Sequence, residues 1–146
     1  MDEASAVREI RALIADRLEA MSTRDAARAL ATLAPEIVAF ELAPPLALPP
    51  GAARDADALS AWFAGWAGPI DVEVRDLEIA ASGDLGFCHS LNRLSGSRID
   101  GRAVSLWMRS TLCLRKNGGA WKIVHAHSSV PFHMDGSYRA AVELAP

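Results

Sequence analysis

The sequence predicts an α+β domain in which N-terminal helices pack on one face of a mainly antiparallel sheet. Near the N-terminus, apolar residues recur at steps of three and four, the spacing of one helix face. In the second half they alternate with polar residues, the spacing of a strand with two different faces. Three glycine-bearing turns, at Ser82-Gly83-Asp84, Asp100-Gly101 and Asn117-Gly118-Gly119, divide that half into long hairpins. Helices first and strands second give a sheet with one face covered by helices.

The first helix is expected over Ala4–Met21, where Val7, Ile10, Leu13, Ile14, Leu18 and Met21 form one stripe. Thr23 or Asp25 caps a second short helix, with Ala26, Leu30 and Leu33 on its apolar side, ending before Pro35. Ile37, Val38 and Phe40 place a short strand within Glu36–Leu42. Pro44-Pro45 and Pro49-Pro50-Gly51 then enforce an irregular loop suited to a rim or lid. Asp55 and Asp57 stand where carboxylates favour a helix N-terminus, so a third helix covers Ala58–Trp66, stopped by Gly68-Pro69.

Ile70, Val72 and Val74 alternate with Asp71, Glu73 and Arg75, and Leu77 and Ile79 extend this strand past a bulge near Asp76. Strands over Leu85–Ser97, Arg102–Lys116 and Ala120–Phe132 complete a four-stranded antiparallel meander. The 146 residues fit a single domain, residues 1–146, with a core over about residues 4–133 and a loosely held tail after Met134.

Apolar residues make up 51% of the chain and charged ones 23%, enough for a packed interior. The net charge of -3 lacks the basic excess of a phosphate-backbone binder, so nucleic acid is not an expected partner. No apolar stretch reaches the about 18 residues of a membrane span, and Asp2 and Glu3 stand where a secretory leader carries positive charge, so a cytoplasmic protein without membrane contact is expected. Cys88 and Cys113 form neither a disulfide framework nor a C-x-x-C pair and are expected as buried thiols. Glycine-rich nucleotide loops and the G-x-S-x-G elbow are absent, so no cofactor is expected.

Particular residues sharpen the fold. Leu33-Ala34-Pro35-Glu36-Ile37-Val38, the run from Asp55 to Trp62, Leu106 to Thr111, and Trp121 to Phe132 together resemble the NTF2-like superfamily, in its SnoaL-like, ketosteroid-isomerase-like branch. The resemblance covers about residues 4 to 133 and implies a cone-shaped, cystatin-like roll whose sheet wraps the first helix around a cavity. It is specific for fold and not for reaction, because function on such a fold is set by the residues of the site. It places Glu41 at or beside the catalytic carboxylate of the isomerases, and Arg17 near the place of their helix-borne tyrosine. Helix 1 holds no tyrosine and Leu106–Lys116 no aspartate, so the isomerase oxyanion pair is missing. Asp16 and Arg17 are otherwise a solvated helix face with a rim pair.

Strand alternation puts Trp107, Arg109 and Thr111 on one face, and His125, His127 and Ser129 on one face of the next strand. His89 and Arg93 share a face of the strand before. Two readings of this polar row stand at this point. As the cone wall, following the resemblance, it makes Glu41 a base, with Arg109 and His127 as donors to developing negative charge and Arg109 paired with Glu41. Phe40, Trp62, His89, Trp107, Thr111, His125 and Ser129 then line the ligand site, and Met108 and Ala126 face outward to a homodimer contact through the sheet. As the outer face, the same row is solvated or is itself the dimer contact. His125-x-His127 has no third ligand fixed by spacing, so no metal is expected. The implied function is a cofactor-free isomerase, cyclase or lyase acting on a small hydrophobic carbonyl compound. The alternative is a non-catalytic ligand-binding or homodimeric assembly module.

Overall fold

The computed structural model of the chain describes residues 2–146, and aspartates start the three α-helices among the described residues. Asp2 accepts the Ser5 N–H at 2.7 Å to open α1 (Glu3–Ser22), and Asp25 accepts from Arg28 to open α2 (Ala26–Leu30). Asp55 accepts from Asp57 and Ala58 to open α3 (Ala56–Ala64), preceded by a 3-10 turn at Ala52–Arg54. Each cap satisfies N–H groups that a helix start leaves without a partner.

The strands are β1 (Leu33–Phe40), β2 (Asp71–Ser82), β3 (Leu85–Ser97), β4 (Ala103–Asn117) and β5 (Ala120–Ser129), in one sheet of order β1-β5-β4-β3-β2. The hairpins pair antiparallel and β1 joins β5 in parallel, so this is an α+β roll with three helices packed on a mixed sheet. The short helix before Pro35 ends earlier than expected and β1 begins at Leu33. Pro35 is tolerated because β1 is an edge strand and the β1–β5 register shifts between Leu33 and Val38. The bulge near Asp76 is present, with the β2 register shifting between Arg75 and Glu78 and Asp76 at φ 57°. A second bulge separates Ile123 from His125, leaving Val124 as the extra residue opposite the Cys113–Leu114 step.

The closed end of the roll packs Ala6, Ile10 and Ile14 of α1 against Leu114, Trp121 and Ile123. Ile10 sits directly over Gly86, where an added Cβ would lie 2.8 Å from its Cδ1, so the helix approaches β3 where the strand has no side chain. A second cluster, Phe63, Trp66 and Ile70, ties α3 to β2. Arg24, at φ 59°, secures this end by donating to the carbonyls of Phe63, Trp66 and Gly68.

The segment after Met134 is not loosely held as expected. Ala141 is buried, its N–H donates to Pro131 O at 2.8 Å, Phe132 bridges Ala140, and His133 pairs with Glu143. The Pro131-to-Ala141 return supplies the backbone partners that would have held the tail in water.

Candidate functional site

Between the two packed ends lies a cavity of about 190 Å³. Ile14, Arg17, Leu18 and Met21 of α1, with Trp62 of α3, form one side of it. The sheet side comes from Val72, Val74 and Leu77 of β2, Cys88, Ser90, Asn92 and Leu94 of β3, Met108, Ser110 and Leu112 of β4, and Ala126 and Ser128 of β5. The inward row on β4 is therefore the even-numbered one. This corrects the cone-wall reading: Met108 and Ala126 face the cavity, and Trp107, Arg109 and Thr111 face outward with their register partners.

The outward row is continuous. Arg93 pairs in register with Trp107, Leu91 with Arg109, His89 with Thr111, and Thr111 in turn with His127. Arg75 and Arg93 lie over the Trp107 ring at 5.1 and 5.9 Å, and Arg109 Nε donates to Ser129 Oγ at 3.2 Å rather than pairing with Glu41. Phe40 meets the His125 ring edge-on at 4.8 Å, and His125 Nδ1 lies 2.7 Å from Val38 O. The Val124 bulge is the physical reason for part of the correction. Without it, the inward Trp121 and Ile123 would carry His125 and His127 inward as well.

Of the residues singled out from sequence, Trp62 lines the cavity. Glu41, Phe40, His127 and Ser129 meet in a neighbouring groove under Leu42, Leu46 and Ala47, and Ser128 belongs to both groove and cavity. Glu41 follows β1 by one residue, on the Ala39 side of the strand. His89, Trp107, Thr111, His125 and Arg109 do not reach the cavity, and Arg109 with Thr111 and His127 is exposed.

Sequence reasoning passed over the polar groups that do face inward. Ser90, Ser110 and Ser128 are successive register partners across three strands and form a hydroxyl rung. Ser90 Oγ donates to Asn92 Oδ1 at 2.7 Å, which turns the Asn92 amide nitrogen to donate elsewhere. Arg17 reaches inward: its Nη1 donates to Ala29 O and Thr32 Oγ1, both at 3.2 Å, and the half-buried side chain lines the cavity. Burial lowers its pKa and the charge of Glu41 opposes that shift. Asp16, the expected rim partner, pairs with Arg28 instead. The signal was available in β3 and β4, where the inward rows are largely apolar and Ser90, Asn92 and Ser110 interrupt them.

Burial pushes the Cys88 thiol up to about 11, so it stands neutral in the cavity wall and is a poor nucleophile. Cys113, expected to be buried, is half-buried on the outer face. Among the described residues, no group of three His, Cys, Asp or Glu side chains is placed to hold a metal, and no helix is long and apolar enough to cross a membrane.

Comparison with known proteins follows the same lines. The SnoaL-like domain model matches residues 10–133. An NTF2-like protein of unknown function from Pseudomonas putida is 31% identical, with 98% of each chain covered and a TM-score of 0.85. A ketosteroid isomerase-like protein from Erwinia carotovora atroseptica is 19% identical over 84% of this chain and 94% of its own, with a TM-score of 0.69. A protein of cystatin-like fold from Caulobacter vibrioides is 18% identical over 84% and 87%, with a TM-score of 0.67. No curated protein matches the chain. The inward-facing cone, the strand order and the matched residues agree, and the chain belongs to the SnoaL-like domain family of the NTF2-like fold.

Proposed function

We propose that the protein is a cofactor-free enzyme of the isomerase or lyase type that moves a proton on a small carbonyl compound held in the cone. The observation that carries this reading is the convergence of a guanidinium, an amide and three hydroxyls on one small cavity with otherwise apolar walls. Such donors, held in place before reaction, stabilise negative charge developing on a substrate oxygen. Arg17 and Asn92 take the place of the missing tyrosine and aspartic acid. Glu41 is the base: it lines the same groove as Ser128, the last member of the hydroxyl rung, and its charge acts on Arg17. An imidazole of the outward row is not required.

Glu41→Gln keeps shape and removes the base. With a turned-over carbonyl substrate, it is expected to lower kcat by at least about tenfold without altering the circular dichroism spectrum. Unchanged kcat removes Glu41 from the mechanism. Binding without any turnover across a broad carbonyl panel favours the alternative, a non-catalytic ligand-binding module.

We also assign the homodimer contact to the outer face, in place of the Met108 and Ala126 rows that the cavity now occupies. Val38, Leu85 and Phe87 are each about half exposed there, at 51%, 49% and 48%, beside the Trp107 and histidine rows. Apolar side chains grouped on a sheet face are the ordinary material of a contact between copies. The wild type is expected to sediment as a dimer and Phe87→Glu as a folded monomer. A monomeric wild type at micromolar concentration argues against the assignment.

A further inference from the structure

Arg17 is a cation inside the roll with no anion beside it. Among the described residues it makes no ion pair; Nη1 is held by two neutral oxygens, and Nε and Nη2 make no hydrogen bond. Glu41 acts on it only through space. A guanidinium drawn away from bulk water is costly unless opposite charge accompanies it.

The other polar groups of the cavity have the same bias. Asn92 Oδ1 is already accepting from Ser90, so the amide offers its N–H groups, and the Ser110 and Ser128 hydroxyls can donate as well. The cavity presents donors and positive charge and no carboxylate of its own. The rest of its wall, including Leu18, Met21, Trp62, Leu94 and Met108, is apolar. An apolar cavity of about 150 Å³ holds benzene, so about 190 Å³ suits a six-membered ring or a short branched chain bearing one small charged group.

We propose that the ligand of the cone is a small monocarboxylate, its carboxylate held by Nε and Nη2 of Arg17 beside the Asn92 amide and its apolar body lying against Trp62 and Met108. This names the substrate class of the site and rests on the reading of the cone as the place where substrate binds. The planar fork of a guanidinium matches a carboxylate through two parallel hydrogen bonds, which a neutral amide of the same shape cannot reproduce. Charge selection at Arg17 is separate from proton transfer at Glu41, so the two claims fail separately.

The test is calorimetric titration of the full chain at pH 7 with benzoate and with its neutral isostere benzamide, using wild type, Arg17→Gln, Arg17→Lys and Glu41→Gln. Wild type is expected to bind benzoate at least about tenfold tighter than benzamide. Arg17→Gln is expected to lose that preference, Arg17→Lys to keep part of it, and Glu41→Gln to keep all of it or strengthen it. Equal affinity for the two probes in the wild type overturns the proposal, as does binding of neither probe. A preference that survives Arg17→Gln also overturns it, since the anion then sits elsewhere, for example at Arg75 and Arg93. If Arg17→Gln does not fold, the wild-type comparison and Arg17→Lys still decide. An acid preference with turnover indifferent to Glu41 refutes the proton-transfer reading alone, whereas Glu41-dependent turnover with no acid preference refutes the carboxylate alone.

Discussion

Trp121→Ala is expected to destabilise the fold by about 3 to 5 kcal/mol, the range for removing a buried tryptophan from a core. Trp121 is 5% exposed, packs with Ile10 and Leu114 in the closed end, and donates its Nε1–H to Glu9 Oε2 at 2.8 Å. The same carboxylate receives Lys116 Nζ at 3.1 Å, so one glutamate on α1 clasps the β4–β5 hairpin near its turn. Truncation removes both the packing and half of that clasp. Trp121→Phe, which keeps most of the packing and loses the N–H, is expected to cost about 1 to 2 kcal/mol. Urea unfolding measures both, and a phenylalanine variant as unstable as the alanine variant shows that the hydrogen bond, not the packing, holds this end together.

The second large effect is expected at Ile10, which is fully buried and rests on Gly86. Ile10→Ala should cost about 2 to 5 kcal/mol, toward the upper end because a glycine beneath it has no side chain to move into the void. Thermal unfolding gives the size of the loss. A cost below about 1 kcal/mol would mean that α1 settles onto the strand, and the helix-to-β3 spacing described above is not what fixes its position.

How far the fold was legible follows from these elements. The stripe of α1, the glycine turns and the carboxylates that start α3 are local signals that lie where the sequence places them, Asp25 is the one of the two offered caps that opens α2, and the Asp2 cap was not foreseen. The boundary between α2 and β1 was misplaced because Pro35 reads as a breaker, and only the sheet order shows it on an edge where a missing N–H costs little. The site was less legible. Alternation correctly grouped Trp107 with Arg109 and His125 with His127, but it does not say which group faces inward. The apolar row of Leu106, Met108 and Leu112 suits either the helix-covered face or a second subunit, and the cone-wall reading, taken from the resemblance, set the polar row inward. In β5 the buried Trp121 and Ile123 share odd numbering with the outward His125 and His127, a reversal produced by one extra residue at Val124. Arg17 was read as a rim residue, although the resemblance set it near the missing tyrosine, because an arginine on an amphipathic helix ordinarily reaches water. Its inward placement depends on Ala29 and Thr32, which the chain brings to it only after α2 has turned back.

The two ends of α1 serve different masters. Ala6 and Ile10 are committed to the closed core, Ile14 belongs to core and cavity wall alike, and Arg17, Leu18 and Met21, one to two turns further on, line the cavity. Changes at the latter positions alter what the chamber accepts while Ala6 and Ile10 go on holding the helix to the sheet. Selection can therefore rewrite ligand choice in this lineage chiefly through Arg17, Leu18 and Met21 while Ala6 and Ile10 guard foldability, and divergence of specificity among relatives should concentrate in the last two turns of this helix.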